Sequence, residues 1–96
     1  MRVEFHPEAL AEFRAATKYY EQQQTGLGER FANVVEMAVA HIAAAPESFR
    51  IIEDDIRRCL AKVFPYAVLY SIEPDNILIV AVMHCRREPG YWRNRS

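Results

Sequence analysis

The sequence predicts a single α+β domain in the order β-α-α-β-β-β, an antiparallel sheet with an α-helical hairpin packed on one face. Two consecutive stretches, Pro7–Gln24 and Gly28–Ala44, carry apolar residues at three- and four-residue spacing and are separated only by a glycine turn. They are followed by runs of β-prone residues joined by short connections. A length of 96 residues accommodates one domain, spanning 1–96, because independently folding units rarely fall below about fifty residues.

The chain opens with a short strand, Arg2 to Phe5. Pro7 then suits the first turn of a helix, where its missing N–H costs nothing, and Glu8 complements the positive end of the helix dipole. Leu10, Phe13, Thr17 and Tyr20 mark the expected buried stripe of this first helix, which ends at Thr25-Gly26-Leu27-Gly28. Leu27, Phe31, Val34, Val35, Ala38 and Ile42 mark the stripe of the second, which Pro46 stops. Neither helix buries its stripe alone, so the pair needs a platform. Phe49 to Glu53 is a short β-like run that leads into the acidic turn Asp54-Asp55. In Ile56 to Phe64 the alternation places Ile56, Arg58, Leu60 and Lys62 on one face, with Arg57, Cys59, Ala61 and Val63 on the other. Tyr66 to Ile72 is strongly β-prone, with its turn at Glu73-Pro74-Asp75-Asn76. Ile77 to His84 is almost unbroken aliphatic, as befits a central strand shielded on both faces.

Composition narrows the function. Hydrophobic residues make up 51% and charged residues 26%, the balance of a folded chain rather than a disordered one. No apolar run approaches the length of about eighteen residues that crosses a bilayer, so no membrane role is expected. The start, Met1 to Pro7, has no signal-peptide stretch, and two cysteines make no disulfide framework, so a reducing cytoplasm is the expected location. The net charge of −1 conceals a division: residues 1–48 carry four Lys/Arg against seven Glu, and residues 49–96 carry eight against six acids. That polarity suits a local anion-binding surface or an acidic partner better than bulk polyanion binding.

Two stretches have side chains suited to recognition. Arg57, Arg58 and Lys62 lie in a run free of acids, and Arg58 and Lys62 are expected on one sheet face, either gripping phosphates or carboxylates or keeping an exposed face soluble. His84, Arg86, Arg87, Tyr91, Trp92 and Arg93 cluster after the central strand. There Tyr91 and Trp92 either anchor an interface or act as lids over one end of a small core. Cys85 points to the opposite side of the strand from His84, so the two are not a nucleophile and its base. No glycine-rich phosphate loop and no paired His or Cys at metal spacing occurs, so neither cofactor nor metal is expected. Any catalysis would rest on arginine, lysine, tyrosine and histidine, a set suited to electrostatic stabilisation of phosphoryl chemistry or to no chemistry at all.

Read together, Phe5-His6-Pro7-Glu8-Ala9, the Tyr19-Tyr20 helix end, Leu27-Gly28-Glu29-Arg30-Phe31, Ile56-Arg57-Arg58, Phe64 to Tyr70 and Val80 to Arg86 resemble the RelE/ParE toxin superfamily of bacterial type II toxin–antitoxin systems. The resemblance covers nearly the whole chain and implies the same β-α-α-β-β-β topology. It also implies a growth-inhibiting toxin of plasmid-stabilisation type, neutralised by a cognate antitoxin that is acidic and partly disordered, with DNA met only through that antitoxin. Phe64-Pro65 and the Val-x-His-x-Arg pattern at Val82 to Arg86 are more similar to the ParE branch, whose studied members poison DNA gyrase. The ribosome-dependent mRNA endonucleases of the superfamily carry an arginine in the strand matching Tyr66 to Tyr70, where Ala67 is the best match here, and the resemblance leaves Arg58, Lys62, Arg86 and Tyr91 as the candidates for the other catalytic roles. A gyrase inhibitor, a ribosome-dependent endonuclease and an inactive relative that only binds antitoxin are the three readings the resemblance leaves open.

Overall fold

The computed structural model describes residues 1–95. Its elements are β1 (Arg2–Phe5), α1 (Pro7–Gln23), α2 (Leu27–Ala44), β2 (Arg50–Glu53), β3 (Ile56–Leu60), β4 (Tyr66–Ile72) and β5 (Asn76–His84), with single 3-10 turns at Pro46–Ser48 and Arg93–Arg95. The expected order is present, and the run after the second helix forms β2 as a fifth strand. The sheet order is β1-β5-β4-β3-β2. The strands β2 to β5 form an antiparallel meander, and β1 pairs in parallel with β5 through Arg2↔Asn76 to Phe5↔Ile79. A parallel neighbour follows from the helical hairpin, which returns the chain to the far side of the sheet before the meander begins.

The hairpin is closed by three local devices. Gly26 takes a φ of 89°, a left-handed conformation that glycine adopts without steric cost. The Glu21 carboxylate accepts hydrogen bonds from the Gly26 and Gly28 N–H groups at 3.0 Å, so an acid near the end of α1 caps the start of α2. Gly28 lets the helices touch: a Cβ there would sit 2.6 Å from the Thr17 carbonyl oxygen and 2.8 Å from Glu21 Cβ.

The hairpin covers one sheet face. Ala9, Ala16, Phe31, Val35, Ala38 and Ile42 pack with Cys59, Val68, Tyr70, Ile77, Ile79 and Val82, and Phe13, Tyr20, Phe64 and Tyr66 close the flank. The stripe of α1 is therefore Ala9, Phe13, Ala16 and Tyr20, rotated from the expected one, in which Leu10 and Thr17 stood for the two alanines. Alanine fits where the helix axis comes close to the sheet, and a leucine does not.

The opposite face has a core of its own. Ile56, Ala67, Leu69, Val80 and Ala81 pack against Trp92, with Ile52, Leu78, Met83 and Tyr91 around them. An irregularity opposite Leu69 and Tyr70 inserts Val80 as an extra residue, so Val80 and Ala81 both belong to this second face. That arrangement explains the unbroken aliphatic run of β5, which serves two cores. The alternation expected through Phe64 stops at Leu60, because Val63 turns the chain at a φ of 64°. Lys62 accordingly leaves the face of Arg58 and lines a small cavity with Val34, Met37, Ala38 and His41 of α2.

Candidate functional site

The structure separates the basic and aromatic residues singled out in the sequence. Arg57 is turned inward, and its guanidinium donates to the carbonyl oxygens of Glu47 at 3.0 Å and Phe49 at 2.8 Å. Trp92 is buried, 6% exposed, and is a lid on the second core rather than an open anchor. Arg93 forms a two-pronged pair with Glu53, with one contact at 2.7 Å, and this hydrogen bond holds the Glu53 carboxyl below the usual carboxylate range. Arg58 lies on the face away from the helices, directly across from Arg50, with no counter-charge among the described residues. Lys62 stands beside α2, and Arg86 is exposed in the turn after β5. The four residues expected to support catalysis, Arg58, Lys62, Arg86 and Tyr91, are thus divided between β3 with the loop after it and the segment after β5.

His84, Arg87 and Tyr91 do come together. They line a cleft of about 290 Å³ between α1 and the ends of β4 and β5, with Glu12, Ala15, Ala16, Tyr19, Tyr66 and Val82. The cleft exists because β1 stops pairing at Ile79 and leaves the rest of the β5 edge uncovered. Ala15 and Ala16 keep the facing side of α1 shallow.

Glu12 closes the exposed part of that edge. Its carboxylate accepts from the Val82 N–H at 3.0 Å and from the Tyr91 hydroxyl at 2.7 Å, and it pairs with Arg95 at 2.9 Å. Arg95 also donates to the Val80 carbonyl oxygen at 3.2 Å. Burial disfavours the charge on Arg95, but the hydrogen bond and charge of Glu12 outweigh it and raise the guanidinium above its ordinary value. Burial, then the hydrogen bond to Glu12, pushes the Tyr91 hydroxyl well up, so it stays protonated. The Arg87 guanidinium lies 3.8 Å above the Tyr91 ring and that of Arg95 lies 5.0 Å from it.

The upper wall carries hydrogen-bond donors without partners among the described residues. His84 Nδ1 accepts from the Arg86 N–H at 3.0 Å, so the neutral ring carries its proton on Nε2. The Tyr66 ring stands edge-on to His84, at 5.2 Å between centroids and 76° between planes. Burial pushes the Tyr66 hydroxyl up, helped by Tyr20, Tyr19 and Glu12, and keeps it a donor. No group of His, Cys, Asp and Glu that could hold a metal ion occurs among the described residues, and no helix is long and apolar enough to cross a membrane.

Sequence reasoning missed Glu12, Tyr19, Tyr66, Arg50 and Arg95. Glu12 did leave a signal, because it is an acid beside the buried stripe of α1, where an unpaired charge would be costly. Arg95 left none, since a basic residue near a chain end has the same appearance in sequence whether solvated or buried.

Residues 3–89 match the family described as the ParE toxin of the type II toxin–antitoxin system parDE. Among solved structures, the chain is similar to one described as the chromosomal ParDE toxin–antitoxin system from P. aeruginosa, at 14% identity and a TM-score of 0.65, over 88% of this chain and 95% of that one. No curated protein matches the chain. The structural likeness reflects a shared fold, and the family match spans nearly all of the sequence: the chain belongs to the ParE toxin family of type II toxin–antitoxin systems, proteins that are partnered by an antitoxin.

Proposed function

We propose that this toxin arrests growth by binding DNA gyrase, without cutting RNA, and that an acidic, partly disordered antitoxin neutralises it in the cytoplasm. The observation that carries the first half is Ala67. At the position that best matches the arginine of the ribosome-dependent endonucleases, this chain has a fully buried alanine, packed in the core that Trp92 covers. Losing one preorganised cation over a scissile phosphate commonly costs about 100- to 1000-fold in rate. The residues expected to share the catalysis do not converge to replace it: Arg58 faces Arg50 on the sheet face away from the helices, Lys62 lies beside α2, and Arg86 is exposed in the turn after β5. Inhibition by contact needs no such convergence, only a complementary surface.

For the antitoxin, Arg50 and Arg58, which have no counter-charge among the described residues, and the exposed Arg86 favour acidic residues, and the exposed apolar side chains of Met37, Leu60 and Val63 favour an amphipathic segment. DNA is then reached only through the antitoxin. Expression with and without the antitoxin gene, combined with codon-resolved mapping of mRNA ends, tests the reading. Growth arrest relieved by the antitoxin and free of new mRNA ends is the expected result; ribosome-dependent cuts would establish the endonuclease reading, and no arrest the inactive one.

A further inference from the structure

We infer that the cleft between α1 and the ends of β4 and β5 is a binding site for the phosphate of a nucleotide, with Tyr19 as the stacking surface for its base. Three donors line it without partners among the described residues: the Tyr66 hydroxyl, His84 Nε2–H and the Arg87 guanidinium. Each arises from a different part of the chain, namely β4, the end of β5 and the turn beyond it.

Their geometry selects the ligand. The Tyr66 and His84 rings stand 76° apart with centroids 5.2 Å from each other, and each donates close to its own ring plane, so the two donors belong to different planes. A planar carboxylate takes its donors near one plane, whereas a tetrahedral phosphate accepts from several. Arg87 supplies the charge, with its guanidinium carbon 3.8 Å from the centre of the Tyr91 ring and paired with no carboxylate among the described residues. The one acid in the wall, Glu12, is already occupied by Val82, Tyr91 and Arg95, so it does not oppose an incoming anion as a free carboxylate would. At the rim, Tyr19 is 55% exposed and braced edge-on by Tyr20 at 5.4 Å. An open, braced ring beside a cationic phosphate seat is the arrangement on which bases stack without sequence preference.

The site is independent of the target proposed above, and its test needs neither gyrase nor ribosome. Calorimetric titration of the purified protein with adenosine 5′-monophosphate and, separately, with inorganic phosphate separates the two sources of the anion. Adenosine 5′-monophosphate is expected to bind about tenfold or more tightly than phosphate, the range that one stacked base supplies. Arg87→Gln should weaken both ligands by about tenfold or more, as expected for a hydrogen bond to a charged group. Tyr19→Ala should bring the nucleotide down to the level of phosphate and leave phosphate unchanged. Arg50→Gln, on the other sheet face, should leave both unchanged. Absence of nucleotide binding at millimolar concentration, or an equal loss in Arg50→Gln, would overturn the assignment. Equal affinity for phosphate and nucleotide would overturn the role of Tyr19.

Discussion

The Arg95 guanidinium and the Glu12 carboxylate meet at 2.9 Å over the edge of β5 that β1 leaves open. The pair closes the sheet where strand pairing runs out: Glu12 takes the Val82 N–H and Arg95 the Val80 carbonyl oxygen. Breaking a buried ion pair from one side leaves the other charge uncompensated, which typically costs 3–5 kcal/mol. With Glu12 17% exposed, water offsets part of that. Arg95→Ala is expected to cost about 2–4 kcal/mol and to lower Tm by more than about 8 °C in thermal unfolding followed by circular dichroism. Glu12→Ala combined with Arg95→Ala should cost less than the sum of the single changes.

Gly28 is the contact point of the helical hairpin. A methyl group there meets a backbone carbonyl at 2.6 Å, which cannot move without displacing α1. Gly28→Ala is expected to destabilise the fold by about 1–3 kcal/mol, the usual cost of overpacking, despite alanine's better helix propensity. Chemical denaturation curves measure it; a stabilised variant would mean that the helices are farther apart.

Phe31 is fully buried between Tyr20, Phe64 and Tyr66, with ring centroids 4.9 to 5.2 Å away. Phe31→Ala should cost about 3–5 kcal/mol, and Phe31→Asp should leave the domain unfolded at room temperature. Retention of wild-type Tm by either variant would contradict the assigned core.

Alkaline stability depends on Tyr70. Burial pushes its hydroxyl up to about 12 in the folded chain, and it donates to the Pro46 carbonyl oxygen at 2.6 Å. A hydroxyl with a raised folded value stabilises fully below its unfolded value of about 10, and that contribution is lost as pH rises from about 10 to 12. Tm should therefore fall steeply over that window, and Tyr70→Phe should flatten the slope there while lowering Tm at neutral pH. Equal slopes for the two proteins would show that the hydroxyl is not the group responsible.

Arg57 and Arg58 are neighbours in sequence with opposite duties. Arg57 is spent on the Glu47 and Phe49 carbonyls, whereas Arg58 faces Arg50 with no acid between them. Arg58→Glu and Arg86→Glu are expected to slow association with the antitoxin, most at low salt, while Arg57→Ala lowers Tm and leaves the association rate near wild type. Stopped-flow binding at two salt concentrations separates these effects, and an affinity indifferent to both charge reversals would exclude the acidic antitoxin.

Most of the fold was legible in the sequence because it follows from periodicity. Phe31, Val35, Ala38 and Ile42 recur as one helix face, and the aliphatic run to His84 announces the strand that both cores share. The stripe of α1 was misplaced by one position because Ala9 and Ala16 carry little apolar signal, and only the closeness of helix and sheet selects them over Leu10 and Thr17. The site was less legible. His84, Arg87 and Tyr91 stand within eight residues of one another in sequence, but Tyr19 and Tyr66 join them only through the fold. Basic residues were the hardest to place: Arg58, Arg93 and Arg95 have the same chemistry, and only tertiary contacts make one free, one paired with Glu53 and one buried.

The central claim, that this toxin acts on gyrase, is tested most directly by supercoiling of relaxed plasmid by purified gyrase with increasing amounts of the toxin. The expected result is loss of supercoiling in proportion to toxin added, restored by stoichiometric antitoxin. Normal supercoiling at a large molar excess of folded toxin would contradict the claim.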